Sequence, residues 1–147
     1  MPLGNVVEVA EKWGPALTKA VKEGDIEDFK SLFTDDLVEV VIQTDEGGEA
    51  LFTIGDDNEL ATLDWAAFLE TSTNELKDQD YVKTESQCLG VLGPRLIMET
   101  GRFNSKGEVY LEATSILTLS EFTGKIVAYE AFSDPGMQTL RDLAEPK

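Results

Sequence analysis

Two glutamates on neighbouring segments of period-two patterning, Glu99 and Glu112, are the residues of this chain best suited to proton transfer. Set side by side and shielded from water, two carboxylates share one proton and titrate in two coupled steps, with one carboxyl held neutral above its ordinary range. General acid and general base pairs use that arrangement. Tyr129 lies on a later segment from which its phenol can donate a hydrogen bond to a ligand oxygen. Glu99, Glu112 and Tyr129 form the candidate catalytic group, and glutamates simply hydrated near strand ends are the plainer alternative.

Composition removes several other chemistries. The chain has no His, so Ser-His-Asp and Cys-His catalysis and His-ligated metal sites have no imidazole to use. Its one Cys, Cys88, can form neither an internal disulfide nor a thiolate cage, and is expected as a buried structural thiol. No metal or cofactor is expected. With 12 basic and 29 acidic residues the net charge is −17, which argues against nucleic acid or an anionic membrane as partner. Residues 1–90 hold 21 acids and 6 bases, against 8 and 6 in the remainder. The acidic runs Asp45-Glu46-Gly47-Gly48-Glu49 and Gly55-Asp56-Asp57-Asn58-Glu59 lack the alternating oxygen ligands of a calcium loop, and read as solvated surface. The N-terminus has no basic region, and Glu8, Glu11 and Lys12 interrupt the apolar residues after it, so a soluble cytoplasmic protein is expected.

The elements that must position these groups fall into two halves. Val6, Val9, Ala10, Trp13, Leu17, Ala20 and Val21 recur at helical spacing, with Pro15 predicting a kink or a later start. Asp25 suits the N-cap of a short helix that buries Ile26, Phe29, Leu32 and Phe33. Leu37–Ile42 and Leu51–Ile54 read as a strand and its partner, and Leu63, Trp65, Ala66, Phe68 and Leu69 as a third helix. Beyond Tyr81, strands are predicted at about 81–92, 95–104, 109–121 and 125–133, separated by turns containing Gly93-Pro94, Gly107 and Gly124. The whole predicts one domain over 1–147, of α+β class, with N-terminal helices packed on the concave face of a strongly curved antiparallel sheet.

Gly24-Asp25 running through Leu32-Phe33-Thr34-Asp35-Asp36 into a strand, the Trp65 helix, and Gly124-Lys125-Ile126 leading through Tyr129 to Asp134 together resemble the nuclear transport factor 2-like, or SnoaL-like, superfamily. The resemblance covers essentially the whole chain. It implies a cone-shaped fold used by ketosteroid isomerases, limonene epoxide hydrolases and polyketide cyclases, and by non-catalytic modules as well. Carried over residue by residue, the isomerase base, oxyanion-hole tyrosine and second acid fall on Val41, Leu17 and Ile116, and an epoxide-hydrolase acid falls on Ala131. All four are apolar here, so those mechanisms are not implied.

Because those family positions face the inside of the cone, the resemblance also implies which sheet residues point inward. Ile97, Glu99, Gly101, Phe103, Tyr110, Glu112, Thr114, Ile116, Thr118, Val127, Tyr129, Ala131 and Ser133 are then expected inside, with Glu39 sharing their side. The expected ligand-binding wall is Trp13, Leu17, Glu39, Val41, Trp65, Phe68, Phe103, Thr114 and Ile116, with core packing as the alternative for the aromatics. The other row, Leu96, Met98, Leu111, Ala113, Leu117, Ile126 and Phe132, is expected to form the outer face and to pack against a second copy. The inverse assignment puts that row in the core. A small, largely apolar ligand is the expected partner, and the carboxylates leave isomerase, cyclase or hydrolase chemistry open to it. A non-catalytic dimeric scaffold is the alternative.

Overall fold

The computed structural model describes residues 3–43, 49–55, 63–77 and 79–132. The acidic runs at 45–48 and 56–59, Ser133 and the Asp134-Pro135-Gly136 turn lie outside them. Helices α1 (Leu3–Glu23) and α2 (Glu27–Lys30) lead into strands β1 (Val38–Gln43) and β2 (Glu49–Ile54). Helix α3 (Trp65–Leu76) follows, and then β3 (Lys83–Leu92), β4 (Arg95–Phe103), β5 (Val109–Leu119) and β6 (Ile126–Phe132). The six strands form one sheet in the order β2-β1-β6-β5-β4-β3, antiparallel throughout except where β1 runs parallel to β6. No helix of the described residues is long and apolar enough to cross a membrane.

Helix α1 begins at Leu3 and continues through Pro15, so the later start, one of the two expected outcomes, does not occur. Pro15 and Glu11 both lie on the exposed side, so the carbonyl that loses its partner is turned toward water. The buried side carries Val6, Val9, Trp13, Ala16 and Ala20 at alternating three- and four-residue steps. Asp25 does not cap α2. Its carboxylate accepts from Glu27 N at 3.1 Å, and the N-cap residue is Ile26. Asp64 caps α3 by accepting from Ala67 N at 2.7 Å. Gly107 and Gly124 take positive φ in the last two hairpin loops, where a side chain would be strained.

Helix α1 also closes the lower edge of the sheet. Thr18 Oγ1 accepts from Thr84 N at 2.9 Å, and its own proton is shared between Thr84 O and Gly14 O at 3.1 and 3.0 Å. Gly14 N donates to Ser86 Oγ at 2.9 Å. So close an approach leaves no room for a side chain at residue 14. A Cβ there would stand 3.0 Å from Ser86 N and 3.1 Å from Thr84 O, backbone atoms that cannot turn aside. Gly14→Ala should therefore lower unfolding free energy in urea by about 1–2 kcal/mol, overpacking outweighing the better helix propensity of Ala. Unchanged or higher stability would show that α1 does not press on β3 at this point.

The core lies between the three helices and one face of the sheet. Leu96, Met98, Leu117, Leu119, Ile126, Val38 and Val40 are fully buried there, and Trp13, Phe29, Phe33, Trp65 and Phe68 cover them. Most of the aromatic rings pack at tilted and edge-on angles, with centroids 4.9 Å apart for Trp13–Phe29 and 5.0 Å for Phe33–Trp65, while Phe29 and Phe68 stack at 5.8 Å. A hydrogen-bonded splice, Thr34 N to Ile126 O and Ile126 N to Leu32 O, both 2.9 Å, fastens the segment after α2 to the start of β6.

These contacts reverse the expected faces of β4 and β5. Most of the row predicted to be a dimer surface is core: Leu96, Met98, Leu117 and Ile126 are 0% exposed, whereas Phe132, paired with Thr114, lies on the convex side. The row Ile97, Glu99, Gly101, Phe103 on β4 and Glu112, Thr114, Ile116 on β5 lies on the convex side. A one-residue slip in the alignment is enough to do this, since side chains alternate with period two. Two irregularities complicate the parity further. Asn104 N pairs with Glu108 O, so Phe103 faces Val109 across a bulge instead of Glu108. A second shift between Thr118 and Leu119 leaves Val127 unpaired, which brings Ile126, Tyr129 and Ala131 to the same concave side as Leu117.

Candidate functional site

The expected catalytic group is divided by the sheet. Tyr129 is on the concave side, its ring 5.7 Å from Trp13, while Glu99 and Glu112 are on the convex side. Nor are the two glutamates directly opposite: Glu99 pairs with Thr114 and Glu112 with Gly101, which makes them diagonal neighbours. Glu112 is exposed and Glu99 half-buried, with Gln87 Nε2 donating to Glu99 Oε1 at 3.3 Å. The seclusion that a shared proton requires is missing from both.

The ligand-wall residues separate in the same way. Trp13, Trp65 and Phe68 are buried on the concave side, and Leu17 packs against their cluster. Glu39 and Val41 alternate with the buried Val38 and Val40, so they point to the convex side, as do Phe103, Thr114 and Ile116. Cys88 is exposed, not buried, and its thiol donates to Gly90 O at 3.3 Å.

What the concave side does carry, beyond apolar groups, is a diagonal of hydroxyls. Ser86 on β3 pairs with Thr100 on β4, and Thr100 with Ala113 on β5; Ser115 lies one same-face step along β5, and Tyr129 across on β6. Ser115 is 2% exposed, and its Oγ donates to Tyr129 Oη at 3.3 Å. Ser86 Oγ is engaged by Gly14 N. Thr100 Oγ1 is buried and has no hydrogen-bond partner. An unpaired buried hydroxyl costs about 1–3 kcal/mol, so native folds keep few of them. Thr100 and Ser115 were not among the residues predicted for the site. Their signal in the sequence is their place in the row Leu96, Met98, Thr100 and Ala113, Ser115, Leu117, small polar groups alternating into the most apolar face of the sheet.

No protein-family model matches the chain, and no curated protein does. Similarity appears among solved structures. A de novo designed protein with a curved β-sheet superposes with a TM-score of 0.60 at 16% identity, over 98% of this chain and 97% of that one. A candidate isomerase of the SnoaL-like family from Agrobacterium tumefaciens str. C58 superposes at 0.56 and 12% identity, over 88% and 97%. A de novo designed NTF2-fold protein superposes at 0.50 and 16% identity, over 99% and 92%. The chain thus has the NTF2-like cone fold that its sequence pattern resembles, and at these identities the likeness extends to the fold alone.

Proposed function

We propose that this chain is a small-molecule pocket protein whose largely apolar ligand lies against the concave side of the sheet and is held there by hydroxyls. The observation that carries this is Thr100 Oγ1, buried without a partner beside the Ser115–Tyr129 hydroxyl pair. A ligand oxygen or nitrogen would supply the missing partner, and Trp13, Leu17, Trp65 and Phe68 would supply the apolar wall. Acid and base chemistry through Glu99 and Glu112 is not part of the proposal, since a ligand on the concave side is separated from both by the sheet. The proposed homodimer moves with the faces: Ile97 and Ile116, paired across β4 and β5 on the convex side, replace Leu96 and Leu117 as its centre.

Native mass spectrometry of the purified protein tests both parts, because it reports subunit count and any retained small molecule together. The proposal expects a bound mass that Thr100→Val reduces or removes. In the ligand-free protein the same substitution should be neutral or should raise unfolding free energy by about 1 kcal/mol, since it deletes an unsatisfied hydroxyl at nearly constant volume. A clear loss of stability would mean that Thr100 is already bonded within the fold, and the proposal would lose its main support.

A further inference from the structure

The reversal of faces that brings Thr100 to the concave side brings Arg102 with it. No irregularity interrupts the β4–β5 pairing between Leu96 and Arg102, so Leu96, Met98, Thr100 and Arg102 share one side of β4. Burial falls along that row. Leu96 and Met98 are 0% exposed, Thr100 is half-buried with its hydroxyl oxygen covered, and Arg102 is half-buried between Thr84 on β3 and Leu111 on β5. Arg102 therefore stands toward the open end of the concave side, two residues or about 7 Å along the strand from Thr100.

The charges of the sheet are sorted by face. Glu39, Glu85, Glu99, Glu112 and Glu130, the acids of β1, β3, β4, β5 and β6, all take convex positions, and so do Lys83 and Arg95. Arg102 is the one charged residue that these strands place on the concave side. Beside it the polar groups are hydroxyls, among them those of Thr84, Thr100, Ser115 and Tyr129. Hydroxyls donate and accept alike and so set no preference for the sign of a ligand. A single fixed cation among apolar walls does, because its field is weakly screened there.

We propose that the concave pocket selects an anion: a largely apolar carboxylic acid whose carboxylate lies between Arg102 and the Thr100 hydroxyl, with its apolar body extending toward Trp13 and Tyr129. This rests on the reading of the concave side as a ligand pocket and adds the charge of what it holds. A guanidinium has five N–H donors in a fixed fork and a carboxylate takes two of them, so a bound anion is compatible with another contact to Arg102. The carboxylate has acceptor sites beyond those two, and one of them meets the Thr100 hydroxyl that the fold leaves unbonded. A net charge of −17 disfavours anions over the molecule as a whole, so a preference for one has to come from a local cation.

The test is a pair of indole-fluorescence titrations of the full chain, one with 4-nitrobenzoate and one with 4-nitrobenzyl alcohol, which share a ring and differ in the carboxylate. The unsubstituted protein should bind the benzoate about tenfold or more tightly than the alcohol, the gain of charge-assisted over neutral hydrogen bonds. That comparison needs no variant. Arg102→Gln should lower the affinity for the benzoate to about that for the alcohol, and Arg102→Lys, which keeps the charge without the fork, should retain part of the preference. Arg95→Gln, the same change on the convex side, should alter neither titration. Alcohol bound as tightly as the benzoate, or a benzoate preference that survives Arg102→Gln, would overturn the anion site while leaving the pocket in place. Saturable binding of neither probe would overturn the concave pocket itself, and the anion site with it.

Discussion

Leu117→Lys should abolish folding, and Ile116→Lys, one residue away, should not. Leu117 is 0% exposed between Leu96 on β4 and Tyr129 on β6, under the helices. A lysine there must strip its ammonium of water or carry a proton loss, and it also forfeits the packing of a buried leucine. The combined cost is about 4 kcal/mol or more, a large share of the roughly 5–15 kcal/mol that holds a domain of this size together. Ile116 points to the convex side and is half-buried, so the same change should move stability by less than about 1 kcal/mol. Circular dichroism and urea denaturation distinguish the two. If a second copy covers the convex side, Ile116→Lys should also convert dimer to monomer in sedimentation.

Trp13→Ala carries the second largest expected effect, a loss of about 3–5 kcal/mol. The indole is 3% exposed and touches three other rings, Phe29, Phe33 and Tyr129, at centroid distances of 4.9, 5.9 and 5.7 Å. Its removal opens a cavity where α1, α2 and the sheet meet, and the neighbours on three elements cannot all collapse into it. Trp13→Phe, which keeps a ring in place, should lose much less. A loss below about 1 kcal/mol for the alanine would show the cluster to be loosely packed, with free volume that a ligand does not need to create.

The order and kinds of elements were legible because they are written in local chemistry. Gly107 and Gly124 supply the positive φ their loops demand, and the Val6-Val9-Trp13 spacing marks one side of a helix whatever it packs against. The faces of the sheet were not legible in the same way. They depend on register, and register depends on the bulges at Arg102/Phe103 and Thr118/Leu119, which leave no mark in hydrophobic periodicity. A compositional signal was available. One row holds Leu96, Met98, Leu117, Leu119 and Ile126, the other Glu99, Gly101 and Glu112, and burying the second at the expense of the first would have left two carboxylates unhydrated. Trp13, Trp65 and Phe68 are buried on the concave side, a position that helix periodicity sets without reference to sheet register. Thr100 was missed because a threonine in a strand looks the same from the sequence whether it is bonded, exposed or orphaned.

Trp13 and Trp65 both belong to the proposed concave pocket, and they make its occupancy directly measurable. Titration with 4-nitrobenzyl alcohol, a neutral aromatic alcohol that quenches indole fluorescence, should give saturable quenching. Thr100→Val and Tyr129→Phe should each weaken it by about tenfold, the worth of one hydrogen bond, and the convex-side change Glu112→Gln should leave it unaltered. Quenching that rises linearly without saturation, or saturable binding that neither hydroxyl substitution weakens, would contradict a hydroxyl-lined pocket on the concave side.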